Sequence, residues 1–273
     1  MQLSLSKYYI FWLLLAVSVL SYGCNLEKNF EVDLPVMAPQ LVAECYLEPG
    51  KPYRLTLTES TNYLAAPDIP LVKEATVIIF YKGKPDTLHY APFYDKFSRK
   101  YYTHVSNTIM AGKPGDTYSL QITDKQGRKL TGTTTVLPVV PLDTVEYIYN
   151  DRQKAYLLAK FNDDGNAKNF YYFSVQPDSL NSRAEIDYAA DDNISNGQLT
   201  AFGTGYDFEK DDTVYVSLYH LEKPYYDFFN SVENARDANG NPFAQPATVI
   251  STVQGGYGVF TNLVYDQKMV VLK

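Results

Sequence analysis

Short segments in which apolar and polar residues alternate recur along most of this chain, and this period of two constrains the fold more than any other feature. The pattern places successive side chains on opposite faces of an extended strand. In residues 40–47, for example, Leu41, Ala43, Cys45 and Leu47 share one face. The 25 tyrosines and many Val, Thr and Phe residues also suit strands, whose pleated surface accommodates branched and aromatic side chains. The chain is therefore predicted to be mainly β.

Seven strand segments come first, separated by turn residues such as Gly and Pro. They are predicted at 40–47, 53–59, 74–82, 86–90, 99–105, 116–123 and 129–136. Seven short strands with such turns predict a β-sandwich of immunoglobulin or transthyretin type over 40–136. Further strands are predicted at 144–149, 155–161, 169–176, 212–221, 247–253, 258–264 and 268–272, with shorter ones at 185–188 and 198–202.

A stretch with two prolines, 137–143, separates the two sets of strands. Proline fixes φ and removes a backbone donor, so the stretch is predicted to be a stiff linker. The remaining residues, 144–273, are predicted to form a second β-sandwich domain. No disulfide is expected in either domain. The chain has two cysteines, Cys24 and Cys45, and the acylation expected at Cys24 would leave Cys45 without a partner. Cys45 is interpreted as a small buried hydrophobe.

One segment of the second domain has helical periodicity. After Pro224, apolar residues recur at positions i, i+3, i+4 and i+7, which is the stripe of an amphipathic helix. The stripe consists of Tyr225, Phe228, Phe229 and Val232. We expect a helix over 224–238 that packs on the second domain.

The N-terminus carries a processing signal that ends at Cys24. The run from Tyr8 to Leu20 is almost wholly apolar, but a bilayer-spanning helix needs about 20 residues, so residues 1–23 are predicted to be a signal peptide. Small residues before Cys24 resemble the bacterial lipobox, in which the cysteine is acylated and becomes the mature N-terminus. We expect fatty acyl chains such as palmitate on Cys24, with 24–39 as a tether. The alternative is an ordinary secretory signal.

Composition and motifs exclude several functions. The formal net charge is −7 and no basic stripe is present, so nucleic acid is not an expected partner. No HExxH, GxSxG, CxxC or P-loop pattern occurs, and the three histidines are scattered. Residues 162–166 (NDDGN) fit a tight hairpin turn better than a calcium loop. The chain is therefore not expected to be an enzyme or to hold a metal or cofactor.

An aromatic and basic stretch, 89–102, is the best candidate for binding. Its aromatic residues exceed what one hairpin easily buries, and such residues form interface hot spots or stack on sugars. The candidates for partner or ligand binding are Tyr90, Phe93, Tyr94, Phe97, Tyr101 and Tyr102. The alternative is that they form cross-strand aromatic pairs with a structural role.

The C-terminal third carries an Asn-Pro-Phe sequence followed by a glycine-rich one. The residues of this motif are Asn241, Pro242, Phe243, Gly256, Gly258 and Phe260. Together with 31–35 (EVDLP), 114–118 (PGDTY) and 163–172, the motif resembles a lipoprotein family of Bacteroidota, the domain of unknown function four-two-four-nine. We interpret the motif as structural, because glycine permits close backbone packing or positive φ. The alternative is that this edge docks on a partner.

The resemblance implies a location and a partner but no chemistry. Members of the family look like outer-membrane lipoproteins, often encoded beside a TonB-dependent receptor, without established catalytic residues. We therefore expect a non-enzymatic accessory lipoprotein, lipid-anchored in the outer membrane, that works with a TonB-dependent transporter in the binding or uptake of an unidentified ligand such as a glycan or peptide. The alternative is a structural, adhesive or assembly lipoprotein of the cell envelope without a small ligand.

Overall fold

The structure, a computed structural model, describes residues 12, 38–62, 68–96, 98–177, 186–239, 245 and 247–273. The first seven strands are β1 (Leu41–Leu47), β2 (Pro52–Glu59), β3 (Ala75–Tyr81), β4 (Lys84–Asp95), β5 (Lys100–Ile109), β6 (Thr117–Asp124) and β7 (Lys129–Thr135). After them come β8 (Leu142–Tyr149), β9 (Ala155–Asn162), β10 (Phe170–Pro177), β11 (Ile186–Asp191), β12 (Leu199–Gly203) and β13 (Thr213–Leu221). The chain then forms helix α1 (Lys223–Ala238), β14 (Val253–Gln254), β15 (Tyr257–Asn262) and β16 (Val264–Val271). The prediction of a mainly β protein is confirmed.

Nine strands form one sheet in the order β14-β7-β6-β3-β4-β5-β2-β1-β15. All its pairs are antiparallel except β1 with β15, which is parallel. The sheet surrounds a single apolar core, to which alternate residues of each strand contribute. Cys45 is 0% exposed in this core, and burial raises the pKa of its thiol to about 12. The interpretation of Cys45 as a buried hydrophobe is confirmed.

The second core lies between two smaller sheets. One has the order β12-β9-β8 and the other the order β11-β10-β13-β16, and residues of both contribute to one apolar cluster. Seven strands in layers of three and four are a β-sandwich of immunoglobulin type, as predicted. Because β9 and β10 belong to different sheets, the prediction of a tight hairpin turn at 162–166 is wrong, and this segment passes from one sheet to the other.

The chain passes from the first apolar core to the second within 137–143, since Val136 belongs to the first core and Leu142 to the second. The domain boundary there stays a prediction, but the strands do not follow it throughout. We expected 144–273 to lie wholly in the second domain, and β14 and β15 instead pair with strands of the first sheet. Between β13 and β16, therefore, the chain leaves the second sandwich, completes the first sheet and returns.

The prediction of a strand at 247–253 is also wrong, because the strand found here, β14, comprises only Val253 and Gln254. Hydrogen bonds from side chains replace a ladder in this segment. The N–H of Ile250 donates to Ser231 Oγ at 2.9 Å, and Thr252 Oγ1 accepts from the N–H of Phe260 at 2.7 Å. A pattern of alternating residues cannot distinguish such a segment from a strand.

Three glycines allow β14 and β15 to fit between β7 and β1. Gly255 and Gly258 have positive φ, at 80° and 117°, which favours glycine. A Cβ would lie 2.1 Å from the carbonyl oxygen of Lys129 at Gly255, and 2.0 Å from that of Ala43 at Gly258. At Gly256 it would lie 2.4 Å from the carbonyl oxygen of Leu41. The backbones approach too closely here for any side chain.

Helix α1 covers the outer surface of the second sandwich with half-buried aromatic side chains. Phe229 packs against Tyr172 of β10, with ring centroids 5.1 Å apart, and Tyr226 against Phe170 at 4.8 Å. Tyr225 contacts the first sheet, with its ring 6.0 Å from that of Tyr46. The helix thus touches both sets of strands.

We expect Gly258→Ala to destabilise the protein by roughly 3 kcal/mol or more, because strain from positive φ adds to a clash with the backbone of β1. The matched control is Gly50→Ala, where φ is 78° but no atom lies within 4 Å of the added Cβ. It should cost only roughly 1–2 kcal/mol. Urea unfolding measures both, and equal losses would show that the close approach to β1 is unimportant.

In helix α1, Phe229→Ala should lower the free energy of unfolding by about 1–3 kcal/mol. This is less than for a fully buried ring, because the side chain of Phe229 is half-buried. Asn234→Ala, on the exposed side of α1, should change stability by less than about 0.5 kcal/mol. Thermal unfolding makes the comparison. If Phe229→Ala left the melting temperature unchanged but weakened a complex, the ring would belong to a partner site.

Candidate binding surface

The aromatic stretch 89–102 forms the distal half of the β4–β5 hairpin and the turn that joins the two strands. β4 was predicted to end at 90 but continues to Asp95. Its first half pairs with β3 up to Leu88, and its second half pairs with β5 from His89 onward. A bulge between Tyr90 and Phe93 interrupts the ladder with β5. Because bulges bend a strand, the distal half can leave the plane of the sheet.

Arg54 of β2 holds the bent hairpin in place. Its guanidinium carbon lies 5.3 Å from the ring centroid of Phe93 and 5.5 Å from that of Tyr102, and these two rings contact each other at 5.6 Å. Arg54 Nη1 also donates a hydrogen bond to Asp95 Oδ2 at 2.5 Å. A planar guanidinium can stack on aromatic rings while it pairs with a carboxylate. Phe93 and Tyr102 therefore pack on β2.

Lys100 extends this packing to β1 and towards the helix. Its ammonium nitrogen lies 3.5 Å from the ring centroid of Tyr46, whose other edge meets Tyr225 of α1. Burial lowers the pKa of Lys100, and the carboxylates of Glu44 and Glu48 act in the opposite direction. The aromatic ring thus faces a cation that is partly shielded from water, which strengthens a cation–π contact.

Three of the predicted aromatic residues that the structure describes are exposed, and Phe93, at 36%, is the least exposed of them. Tyr94 and Tyr101 pair directly across the ladder and are 55% and 41% exposed. Tyr90, by contrast, packs against His104, with ring centroids 5.4 Å apart. Phe97 lies outside the described residues. Among the described members of the set, Tyr90 and Tyr102 are half-buried, Phe93 packs on Arg54 with part of its ring exposed, and Tyr94 and Tyr101 form the most exposed pair.

Thr103 and His104 are consecutive residues of β5, and both side chains are buried. These buried side chains anchor β5 to β2 at the point where the hairpin leaves β2. Thr103 Oγ1 accepts from the N–H of Leu57 at 2.8 Å and donates to the carbonyl of Leu55 at 3.2 Å. His104 Nδ1 lies 2.9 Å from the same hydroxyl, and burial lowers the pKa of His104 to about 4. The fold thus favours the neutral imidazole.

The family motif lies away from the hairpin, where described. Gly256 and Gly258 make the close approaches to β1, and Phe260 is buried in the first core, facing Gly132. Asn241, Pro242 and Phe243 lie outside the described residues, as does Cys24. The geometry of the described part supports a structural role for the motif.

The polar residues before β10 form a buried network. Asp163 accepts hydrogen bonds from the hydroxyl of Tyr171, from the amide of Asn169 at 3.2 Å and from the N–H of Gly197 at 2.7 Å. Asn169 Oδ1 lies 3.2 Å from Nε2 of His220, whose Nδ1 lies 2.9 Å from the carbonyl oxygen of Pro138. Asp163 thus serves to join loops of the sandwich. Among the described residues no three His, Cys, Asp or Glu side chains are grouped to hold a metal ion.

Sequence reasoning missed the residues that connect the hairpin and helix to the sheet. Arg54 and Lys100 lie at ordinary strand positions, and their partners are distant in sequence. Glu222, at the start of α1, accepts from the N–H of Thr135 at 2.9 Å and from the hydroxyl of Thr134. Asn262 donates to the carbonyl of Thr135 at 2.6 Å. Only the position of β15 beside β7, where Asn262 meets Thr134 and Thr135, brings these side chains together.

The described chain is thus a mainly β protein with a nine-stranded sheet, an immunoglobulin-type sandwich and no helix long and apolar enough to cross a membrane. The family model for the domain of unknown function DUF4249 matches residues 27–268. The chain belongs to this family. No curated protein matches it.

Solved structures resemble the chain only remotely. A segment of two fibronectin type III domains from chicken tenascin is 13% identical, with 70% of this chain and 90% of that one covered and a TM-score of 0.22. Chicken CNTN1 FN1–FN3 domains are 9% identical, with 85% and 69% covered and a TM-score of 0.24. Dimeric latent PorU from Porphyromonas gingivalis is 12% identical, with 92% and 21% covered and a TM-score of 0.22.

The buried state of His104 predicts a pH dependence. Its pKa is about 4 in the fold and about 6.5 in an unfolded chain, so acid favours the unfolded state by up to roughly 3 kcal/mol. This stability is present above pH 6.5 and is lost as the pH falls towards 4. His104→Gln should reduce the loss of unfolding free energy between pH 6.5 and pH 4, as measured by urea unfolding. His89→Gln, at an exposed site, should not change this loss. An unchanged pH profile in the His104 variant would contradict this assignment.

Proposed function

We propose that this protein is a non-enzymatic lipoprotein, anchored through Cys24 in the outer membrane, that binds a TonB-dependent transporter and assists the uptake of its ligand. The observation that carries this proposal is the exposed pair Tyr94 and Tyr101 on a hairpin in which Tyr90, Phe93 and Tyr102 make ring contacts with His104 and Arg54. Membership of the DUF4249 family and the lipobox-like N-terminus are consistent with it.

The hairpin has the properties of a contact surface that is prepared before binding. Arg54 and Lys100 fix the hairpin on β2 and β1, so a partner would not have to order it. Tyrosine contributes a large contact area and a hydroxyl at small cost in conformational entropy. Exposed aromatic residues on a rigid support are typical of hot spots at protein interfaces.

The anchor can be tested first. Cys24→Ala should release the protein from the membrane fraction, since acyl chains bury many methylenes at about 0.8 kcal/mol each. The measurement is fractionation after a salt wash, followed by immunoblotting. If the Cys24→Ala protein still sediments with outer membrane, lipid on this residue is not the anchor.

The partner can be tested by purification from detergent-solubilised outer membranes. We expect the protein to carry a TonB-dependent receptor in stoichiometric amount, and the double variant Tyr94→Ala/Tyr101→Ala to lose it without a change in melting temperature. The control is Ile148→Ala, since Ile148 is 62% exposed on β8, away from the hairpin. A receptor retained by the tyrosine variant would exclude the hairpin as the contact.

The second candidate is a structural, adhesive or assembly lipoprotein of the envelope without a small ligand. The observation that favours it is the extent of the β structure, since two β cores joined by shared strands are also suited to a mechanical role. The same purification separates the two proposals, because here no receptor would be recovered.

A further inference from the structure

The proximal half of the β4–β5 hairpin contains a polar cavity, distinct from the exposed tyrosine pair. Its volume is about 430 Å³, and residues 86–89 of β4 and 105–108 of β5 line it. The side chains that line it are those of Asp86, Thr87, His89, Val105, Ser106, Asn107 and Thr108. The two strands do not pair with each other over most of this stretch, because residues 86–88 of β4 pair with β3 and the ladder between β4 and β5 begins at His89 and Val105. The cavity therefore lies where the two strands separate.

The lining is almost wholly composed of hydrogen-bonding groups, and Asp86 is its one acidic side chain. It includes a carboxylate, an imidazole, an amide and three hydroxyls, and Val105 is the apolar exception. No Lys or Arg side chain lines it, which disfavours phosphate or sulfate. A single carboxylate is too few for a divalent cation, which takes several oxygen ligands.

Contacts between the strands hold part of this lining and leave the rest available. The hydroxyl of Thr108 donates to the carboxylate of Asp86 across the two strands, and Ser106 Oγ accepts from the N–H of Thr108 at 3.1 Å. Among the described residues, the side chains of His89 and Asn107 make no hydrogen bond. An imidazole and an amide, each able to donate and accept, thus lie beside a fixed carboxylate.

We propose that this cavity binds a neutral saccharide. Sugar hydroxyls both donate and accept, and Asp86, His89 and Asn107 supply the matching groups. A longer saccharide could follow the hairpin towards Tyr94, about 16 Å away at the rise of a strand, where aromatic rings can stack on sugar faces. The saccharide would be the ligand whose uptake the protein assists. This role in uptake rests on the proposed function, but the binding itself requires no transporter.

The first measurement uses the purified protein on an array of neutral and anionic oligosaccharides. Binding of one or more neutral saccharides, without binding of their sulfated forms, is expected. A single hit is then titrated in solution by NMR. The affinity should be weak, in the millimolar to high micromolar range, because the cavity is open and offers few hydrogen bonds.

Variants test the location. Asn107→Ala and His89→Ala should each weaken binding about tenfold, the effect of one lost hydrogen bond, and should leave the melting temperature unchanged. Asn196→Ala, at an exposed asparagine between β11 and β12, is the control and should bind normally. No neutral saccharide on the array, or affinity unchanged in the Asn107 and His89 variants, overturns the inference. Recovery of a transporter by the same protein would still support the proposed function.

Discussion

The close approach of β15 to β1 is the contact on which the rest of this structure depends. Parallel pairing places Gly258 against Ala43 at a distance that excludes any Cβ, and β14, only two residues long, pairs with β7 at the other end of the sheet. The sheet therefore closes around its core with strands that come from the far end of the chain. Phe260 completes that core beside Gly132.

This closure also joins the two β units. Because the chain between β13 and β16 passes through the first sheet, the second sandwich cannot be separated without removing β14 and β15 from the first. Glu222 and Asn262 strengthen the junction through Thr134 and Thr135 of β7. Burial raises the pKa of Glu222, while the donors Thr134 and Thr135 oppose this rise. We infer that the first core would lose stability in a chain that ended at the linker.

Local patterns were sufficient to predict the strands and the helix, because their periods follow from the backbone alone. The helix predicted at 224–238 occupies Lys223–Ala238, and most strands lie within one or two residues of their predicted ends. Alternation does not reveal which strands pair, so the strand at 258–264 was expected in the second domain, whereas β15 pairs with β1 of the first sheet. It also does not reveal that Ser231 and Thr252 satisfy backbone groups, so 247–253 was wrongly predicted as a strand.

The candidate site shows the same division between local and long-range information. Composition alone predicts the aromatic stretch but does not distinguish its six rings, whereas in the structure Arg54 holds Phe93 and Tyr102. A cation from another strand thus decides which rings are structural. What remains is a hairpin with a fixed base, a polar cavity near that base and two exposed tyrosines further along it. The bulge between Tyr90 and Phe93 lies between these two surfaces, and Arg54 holds the distal one against β2, so a ligand or partner that touched both would follow β4 across the bulge.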